Sequence, residues 1–321
     1  MHTQHSPSRK AISSTLVSFL FLFLAVSIAP QASQAQQTYE SNVGSGTCTA
    51  GSFSDAIWSN ADCWSLTSGT PESPGYPDDS DDTARFINGD DLIFDSVADG
   101  VTIGVLDVND GTFLTGGDFS LSVNNASLSG DVTIGSNGRL ELAVAAGFGN
   151  FNVLTLSVDG DVTNDGTGNQ TVDFSGSAFP NGLCGELNGN VATVTFSSSG
   201  TQTISGSASR DEYIFGDIDV ASAAVESDGD FQIKGNTTGA SSGSYTGLSG
   251  NTIRLTGSSQ TIGGAAEYDF GTLTLDNSST TFEHDAVISN LQGQTGDLII
   301  GNSGSGITAT VAFQSTGTAR S

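Results

Sequence analysis

The sequence is poor in the residue types that enzymes and metal centres most often use for chemistry. Its 321 residues include three histidines, three cysteines and eight lysines or arginines. Because His2 and His5 lie in an N-terminal segment that we expect to be removed, a Ser-His-Asp triad would depend on His284. No Gly-x-Ser-x-Gly elbow stands in a strand-to-helix setting, and one histidine with scattered cysteines does not make a structural zinc site. We therefore expect no catalytic residues, and a solvated turn position for His284.

Positive charge is scarce, whereas negative charge is abundant. Beyond residue 35, six basic residues face 35 aspartates and glutamates, which gives a net charge of −29. The six are Arg85, Arg139, Arg210, Lys234, Arg254 and Arg320. Such a field repels nucleic acid and anionic membrane surfaces, so neither is an expected partner. With a single lysine left, the composition favours a salt-adapted (halophilic) protein, whose unfolding temperature should rise from low to molar NaCl because salt screens the repulsion.

The first 35 residues have the three-part order of a secretory signal peptide. Arg9 and Lys10 precede an apolar stretch at 11–29, and Ser33-Gln34-Ala35 then offers small residues for cleavage near Ala35. The strongly apolar part is shorter than the roughly 20 residues that a transmembrane helix needs. We expect a cleaved, exported chain that is secreted or located at the cell surface, with no transmembrane segment in its mature part.

Beyond the signal, the sequence reads as short strands separated by turns. It has 42 glycines but six prolines, and Ser, Thr, Asn and Asp are frequent. Apolar residues alternate with polar ones in runs such as Phe119-Leu121-Val123, and this period of two places them on one face of a strand. Other runs begin at Val101 (through Ile103 and Val105), Leu140, Leu154, Val194, Phe231, Ile253, Leu273 and Ile307. No amphipathic helix is indicated, so the predicted fold class is all-β.

Whole phrases of the sequence recur. Gln-Thr-Ile occurs at 202–204 and again 58 residues later, and Tyr-x-Phe-Gly follows at 213–216 and 55 residues later. A shorter echo, Gly-Asp-Val-Thr, begins at Gly130 and again 30 residues later. Recurrence of this kind predicts a parallel β-solenoid, because one repeat alone cannot bury its apolar face and must stack on its neighbours.

The repeated phrases and the tryptophan-rich stretch before them resemble a known group of proteins. The phrase Gly-x-x-Gln-Thr-Ile-x-Gly at 257–264, followed by an aromatic-rich strand, is similar to repeats of large secreted or surface β-helix proteins of Bacteroidetes-type bacteria. Trp58-Ser59, Trp64-Ser65 and Pro77-Asp78 resemble the stretch that precedes the solenoid in that group. The resemblance implies a right-handed parallel β-helix with an N-terminal capping segment. Members often end in a sorting or anchoring module, and none is visible up to Ser321.

This interpretation divides the sequence into three parts. Residues 1–35 are the signal peptide, residues 36–98 the N-terminal capping segment and residues 99–321 the β-solenoid repeats. The alternative all-β architecture is a set of β-sandwich domains, in which similar strands would pair antiparallel. The recurrence of whole phrases favours the solenoid.

The capping segment contains both tryptophans and two of the three cysteines. Cys48 and Cys63 lie close together in the sequence of an exported chain, so we predict a disulfide between them. Cys184 is then the spare cysteine, expected as a small buried apolar residue. Trp58 and Trp64 are predicted to close the open end of the solenoid, and stacking on sugar rings is the alternative.

The densest acidic run is Pro77-Asp78-Asp79-Ser80-Asp81-Asp82. The carboxylates of Asp78, Asp79, Asp81 and Asp82 are hard oxygen ligands that calcium prefers. The EF-hand spacing with its distal glutamate is missing, so a solvated acidic turn is the alternative. Calcium is the one cofactor that the sequence suggests.

Taken together, these features predict a non-enzymatic structural or adhesive β-solenoid protein. Its expected partners are surface glycans or other extracellular matrix proteins. The alternative is a carbohydrate-binding or polysaccharide-degrading β-helix protein, because β-helix folds host lyases and hydrolases and carboxylate pairs are plentiful here. A lyase for anionic sugars needs cations to neutralise its substrate, whereas this chain carries few of them and a repelling net charge.

Overall fold

The chain passes repeatedly between two large β-sheets whose strands run parallel. The structure is a computed structural model, and it describes residues 36–48, 56–124, 128–147, 150–166, 192–208, 213–248, 250–276, 279–292, 297–300 and 311–313. All of them belong to one compact unit, Gln36–Ser321. The predicted signal peptide, Cys184, Arg210 and Arg320 lie outside the described residues.

The described secondary structure consists of strands and one 3₁₀ turn, Ala61–Cys63. The first strands are β1 (Gln37–Ser41), β2 (Trp64–Ser68), β3 (Asp82–Phe86), β4 (Asp90–Phe94), β5 (Val101–Ile103), β6 (Val105–Thr115), β7 (Phe119–Val123), β8 (Val132–Glu141), β9 (Ala143–Gly147), β10 (Asn150–Val158) and β11 (Val162–Asn164). There follow β12 (Thr193–Phe196), β13 (Thr201–Ser205), β14 (Ile214–Phe215), β15 (Asp217–Asp219), β16 (Ala224–Asp228), β17 (Phe231–Ile233), β18 (Thr237–Thr238) and β19 (Ser244–Gly247). The last are β20 (Thr252–Leu255), β21 (Gln260–Ile262), β22 (Glu267–Leu275), β23 (Ser279–Phe282), β24 (Ala286–Gln292), β25 (Asp297–Ile300) and β26 (Val311–Phe313).

Strand pairing separates the two sheets and decides between the predicted architectures. One sheet of 16 strands has the main order β14-β17-β20-β22-β19-β16-β13-β11-β8-β6-β3-β1-β2, and one of ten strands has the order β25-β23-β21-β18-β15-β12-β10-β7-β5. Among the described pairs, β1 with β2 and β9 with β10 are antiparallel, and the others are parallel. The β-sandwich alternative is therefore wrong, because sandwich sheets are antiparallel.

One long strand of the larger sheet bends at a corner and pairs with two successive short strands. Residues 105–108 of β6 pair with β3, whereas residues 111–115 pair with β4. Gly111, at this bend, has φ 137°, and a side chain there would clash with the Asp90 carbonyl oxygen. On the next strand, a side chain at Gly138 would meet the Val108 carbonyl oxygen. Glycine is needed at this corner because the backbones of adjacent strands approach closely.

The interior is built from columns of apolar side chains in parallel register. On the smaller sheet, Leu121, Leu156, Val194 and Ile218 are successive partners, and each is at most 1% exposed. Residues between them alternate to the outer side, as the period of two predicts. Stacking of like apolar residues in this way removes them from water at every strand.

One predicted run is divided between the two sheets. Val101, Ile103 and Val105 alternate in the sequence, which predicted a shared face, but that prediction is wrong. The chain turns at Gly104, where a side chain would clash with Leu128 and the Ser80 carbonyl oxygen. Ile103 is therefore buried in β5 of the smaller sheet, while Val105 begins β6 of the larger sheet and is half-buried.

The repeated phrases occupy the sheets in two different ways. The short Gly-Asp-Val-Thr echo stacks directly, because Val132 of β8 pairs with Val162 of β11. The two Gln-Thr-Ile copies lie instead in different sheets, Gln202 in β13 of the larger one and Gln260 in β21 of the smaller one. The longer phrase therefore marks a local bend of the chain, and it does not predict in which of the two sheets that bend lies.

Both glutamines make the same set of hydrogen bonds in the interior. The Gln202 Nε2 donates to the carbonyl oxygens of Val158 (3.0 Å) and Gly160 (2.6 Å), and its Oε1 accepts from the Ser198 amide at 3.0 Å. Both side chains are almost fully buried. The Gln260 side chain repeats this pattern at 2.7–2.9 Å, with Ile233, Gly235 and Gly257 as its partners.

Candidate metal centre

Both tryptophans are in an aromatic cluster inside the N-terminal segment. The Trp58 ring lies 5.0 Å from Trp64, 5.3 Å from Phe94 and 5.5 Å from Phe113, measured between ring centroids, all in edge-to-face geometry. Trp58 is 0% and Trp64 6% exposed. Stacking of these rings on a sugar is incompatible with such burial, so the aromatic-platform alternative is wrong.

The indole N–H groups bind the surrounding chain to this cluster. The Trp58 Nε1 donates to the Pro77 carbonyl oxygen at 2.8 Å, and the Trp64 Nε1 donates to the Trp58 carbonyl oxygen at 2.7 Å. The first bond holds the backbone immediately before the acidic run. Trp58 therefore positions the loop that carries the candidate metal ligands.

A disulfide and an acidic side chain fix the beginning of the segment. Cys48 and Cys63 are bonded, with their Cα atoms 5.0 Å apart. The Asp62 carboxylate accepts from the Thr47 amide at 2.9 Å and from the Thr47 hydroxyl at 2.8 Å. These hydrogen bonds, the backbone one first, lower the pKa of Asp62. Residues 47–48 are thus joined to residues 62–63.

The acidic run folds back on its last member, Asp82. The Asp82 Oδ2 accepts from the backbone amides of Asp78 (2.9 Å) and Asp79 (3.1 Å). Asp82 is 0% exposed, and its second oxygen, Oδ1, is buried with no hydrogen-bond partner. The carboxylate is thereby held at the start of β3 with one oxygen satisfied and one unsatisfied.

Three carboxylates converge here, and they differ from the four that the sequence suggested. One oxygen each from Glu72, Asp78 and Asp82 lies within 4.8 Å of the other two. Asp79 and Asp81 are not members of this group, and the Asp79 Oδ1 accepts from the following Ser80 amide at 2.7 Å. Glu72 precedes the run by several residues between two prolines, and no spacing signal in the sequence connects it to Asp82.

Burial and neighbouring negative charges raise the pKa values of Asp78 and Asp82. Burial, followed by the Glu72 and Asp79 charges, raises the pKa of Asp78 to about 6. Burial likewise raises the pKa of Asp82 to about 6, against the lowering effect of its two backbone hydrogen bonds. Burial and the Asp82 charge raise the pKa of Tyr39 to about 12. Burial therefore disfavours the charged forms of the Asp78 and Asp82 carboxyl groups.

An open groove reaches the group from outside. Its volume is about 530 Å³, and Asp78, Asp79 and Ser80 line one part of it, with residues 99–102 lining the other. Asp78 belongs both to the groove and to the carboxylate group. Solvent and small ions therefore have access to Asp78, one of the three carboxylates.

Carboxylates elsewhere in the structure accept hydrogen bonds from the backbone of the next strand. The Asp131 Oδ1 accepts from the Asp161 amide at 2.8 Å, and the Asp161 Oδ1 accepts in turn from the Thr203 amide at 2.6 Å. Asp99, Asp118, Asp165, Asp217 and Asp230 accept amides in the same manner. Much of the acidity therefore has a structural use between neighbouring turns of the chain.

Asp217 shows how a carboxylate that accepts a backbone amide affects the stability of the fold and the pH dependence of that stability. Its Oδ1 accepts from the Asn236 amide at 2.6 Å, and burial raises the pKa of Asp217 while that hydrogen bond opposes the shift. Because the folded pKa is raised, the charged form is disfavoured, and stability falls as pH rises through that pKa. Asp217→Asn keeps an acceptor oxygen without the charge. We expect it to melt higher than wild type at about pH 7 and equally at about pH 3.

The control for this prediction is Asp217→Ala, which removes the acceptor. We expect it to lower the free energy of unfolding by about 1 kcal/mol at about pH 3, because the Asn236 amide loses its partner, and by less at about pH 7, where wild type also carries the penalty of the buried charge. Melting followed by circular dichroism measures all three proteins. An Asp217→Asn variant that melts below wild type at neutral pH would contradict the account.

Three described arginines are paired with carboxylates, and His284 stands in a turn. Arg85 contacts Glu40 at 3.4 Å and Asp107 at 2.9 Å. Arg139 pairs with Glu141, and Arg254 pairs with Asp276. His284 is half-buried between β23 and β24. The charges of these three arginines are therefore balanced by neighbouring carboxylates.

The fold defines an all-β protein built of long parallel sheets. Comparison with known proteins found no matching family, no matching curated protein and no matching solved structure. Within the described residues, no helix has the length and apolar character needed to cross a membrane.

Proposed function

We propose that this chain is an exported, non-enzymatic structural or adhesive protein whose mature part is a right-handed parallel β-helix. The chain alternates between the two sheets, so successive strands of a sheet are joined by crossovers. Crossovers between parallel strands of one sheet are right-handed in nearly all proteins. Export follows from the three-part order of residues 1–35. Secretion or surface location in a salt-adapted organism is part of the same proposal.

The observation that carries the proposal is the use of the carboxylates. In a catalytic pair, one carboxyl has to exchange a proton with substrate and the other has to remain accessible. In this protein, Asp131, Asp161 and Asp217 accept backbone amides of the next strand. Side chains committed in this way stabilise the stacking of the chain, and they favour a scaffold over a hydrolase or lyase.

The outer side of the smaller sheet supports an adhesive role. Thr102, Ser122, Ser157 and Thr195 are successive partners across β5, β7, β10 and β12. Strands of a sheet are about 4.8 Å apart, so this row presents one hydroxyl per strand at a regular spacing. Hydroxyls both donate and accept hydrogen bonds. They suit neutral partners such as surface glycans or extracellular matrix proteins, which the negative net charge does not repel.

The first experiment locates the protein and looks for turnover. The full chain is expressed with and without residues 1–35, and medium and cells are analysed separately. We expect the full chain alone in the medium, beginning near Gln36. The exported protein is then incubated with neutral and anionic polysaccharides beside a boiled sample. Release of reducing sugar above the boiled control would overturn the non-enzymatic proposal.

The second experiment tests adhesion through the hydroxyl row. The exported protein is applied to immobilised glycans and matrix proteins, with the triple alanine variant of Ser122, Ser157 and Thr195 beside it. The matched control is the triple alanine variant of Thr252, Thr272 and Thr274, which lie on a face of the larger sheet. Loss of binding by the Ser122, Ser157 and Thr195 variant alone supports adhesion through the hydroxyl row. Equal binding by all three proteins contradicts it.

A further inference from the structure

We propose that Glu72, Asp78 and Asp82 bind a divalent cation, with calcium as the ion. The site joins the loop before β3 to the first residue of that strand. It differs from the run of four aspartates that the sequence suggested, since it includes Glu72 and leaves out Asp79 and Asp81. The proposal is independent of the proposed adhesive function, because it concerns the stability of the N-terminal segment.

The separation of the three carboxylates fits one ion. Calcium binds oxygen at 2.3–2.6 Å, so ligand oxygens on one ion lie up to roughly 5 Å apart. One oxygen each from Glu72, Asp78 and Asp82 lies within 4.8 Å of the other two. A single ion between the three oxygens can therefore contact all of them with little movement of the side chains.

The unsatisfied oxygen of Asp82 is a second and independent indication. Asp82 is 0% exposed, and its Oδ2 already accepts two backbone amides. Its Oδ1 is buried without a hydrogen-bond partner. A buried charged oxygen without a partner is costly, and buried carboxylates are normally paired or bound to metal. The carboxylate that carries this oxygen belongs to the same group as Glu72 and Asp78, so a cation bound by the group would supply the missing partner.

The donor set selects calcium over the common alternatives. All three side-chain donors are carboxylates, whereas zinc sites mostly use cysteine and histidine. Magnesium requires a nearly regular octahedron, while calcium accepts irregular arrangements of six to eight oxygens. The groove beside Asp78 and Ser80 gives water access to complete the coordination. Three protein ligands place the expected affinity among extracellular calcium modules, with a dissociation constant of about 10⁻⁴–10⁻³ M.

Binding at this position would fix the capping segment against the first strands. The Pro77 carbonyl oxygen, one residue before Asp78, accepts the Trp58 indole N–H at 2.8 Å. Asp82 begins β3, which pairs with β1 on one side and β6 on the other. An ion that holds Asp78 to Asp82 therefore stabilises the loop, the aromatic cluster and the first strands together.

The test uses the exported chain after removal of metal with a chelator. Calcium chloride is titrated by calorimetry, and melting is followed with calcium, with magnesium and with sodium chloride at equal ionic strength. We compare wild type with Glu72→Gln and Asp82→Asn, each of which removes one proposed ligand charge. The control is Asp91→Asn, which removes the same charge at an exposed position of β4 outside the group and the groove. Circular dichroism without calcium checks that each variant is folded.

The expected result is a calcium-specific rise in melting temperature and one bound ion per chain. Glu72→Gln and Asp82→Asn should bind about tenfold more weakly or worse, because each lacks a charged ligand, and Asp91→Asn should bind within about twofold of wild type. Absence of a calcium effect in wild type would overturn the proposal. An equal effect in all four proteins, or in magnesium and sodium alike, would overturn it too, since it would show charge screening only. If Asp82→Asn fails to fold, Glu72→Gln decides.

Discussion

Replacing Trp58 with alanine is expected to lower the free energy of unfolding by about 3–5 kcal/mol, the usual cost of truncating a buried tryptophan. The ring is fully buried and contacts Trp64, Phe94 and Phe113. The variant also leaves the Pro77 carbonyl oxygen without the indole donor. Denaturant unfolding followed by circular dichroism measures the effect without relying on tryptophan fluorescence.

Trp58→Phe separates the packing of the ring from its hydrogen bond. Phenylalanine keeps much of the apolar bulk but has no N–H, so we expect a loss of about 1–2 kcal/mol. If Trp58 were an exposed sugar-binding residue, Trp58→Ala would change stability by no more than about 0.5 kcal/mol. A loss that small would contradict its place in the core.

Replacing Gln260 with leucine is expected to lower the free energy of unfolding by about 2 kcal/mol or more. Leucine has a similar size but removes the bonds to the Gly235 carbonyl oxygen and the Gly257 amide, whereas the Ile233 carbonyl oxygen loses the glutamine and keeps the Thr256 amide. Each buried polar group that loses its partner costs about 1–3 kcal/mol. Denaturant unfolding at neutral pH measures the change.

Two further variants make this prediction specific. Gln202→Leu should cost about as much as Gln260→Leu, because Gln202 makes the equivalent three bonds in the other sheet. Gln292→Leu, at an exposed position near the end of β24, should remain within about 0.5 kcal/mol of wild type. If all three variants behave alike, the internal hydrogen bonds do not account for the effect.

The two glutamines also show how far the sequence predicts the fold. Period-two patterns predicted strands such as Phe119–Val123 correctly. Val132 and Val162, which the 30-residue echo relates, pair on neighbouring strands. The 58-residue repeat is less informative, since its copies lie in different sheets. A corner in which a glutamine bridges two carbonyl oxygens can be used wherever the chain turns. A repeated phrase therefore does not by itself determine which sheet its strand joins.

Turns between sheets were the feature least visible in the sequence. Val101, Ile103 and Val105 keep one alternating pattern across the bend at Gly104, so the pattern alone cannot show where one strand ends and the next begins. Likewise, the eleven residues of β6 read as one strand, although their partner changes from β3 to β4 on the two sides of the bend at Gly111. Backbone contact with a neighbouring strand decides both bends, and a single sequence does not contain that neighbour.

For similar reasons, only part of the candidate site could be predicted from the sequence. The density of aspartates identified Asp78 and Asp82, because clustered carboxylates are the usual signal of a calcium loop. Glu72 joins them only through the path of the loop, and Asp79 and Asp81 are excluded from the group for the same reason. The burial of Asp82 beside two backbone amides has no sequence signature.

The most direct test of the central claim is a crystal structure of the exported chain grown with calcium and a mixture of oligosaccharides. The account predicts right-handed coils of parallel strands, an ion between Glu72, Asp78 and Asp82, and no sugar beside a carboxylate pair. Antiparallel sheets would contradict the β-helix. A sugar bound between two carboxylates, with a free arginine beside it, would contradict the scaffold and indicate an enzyme.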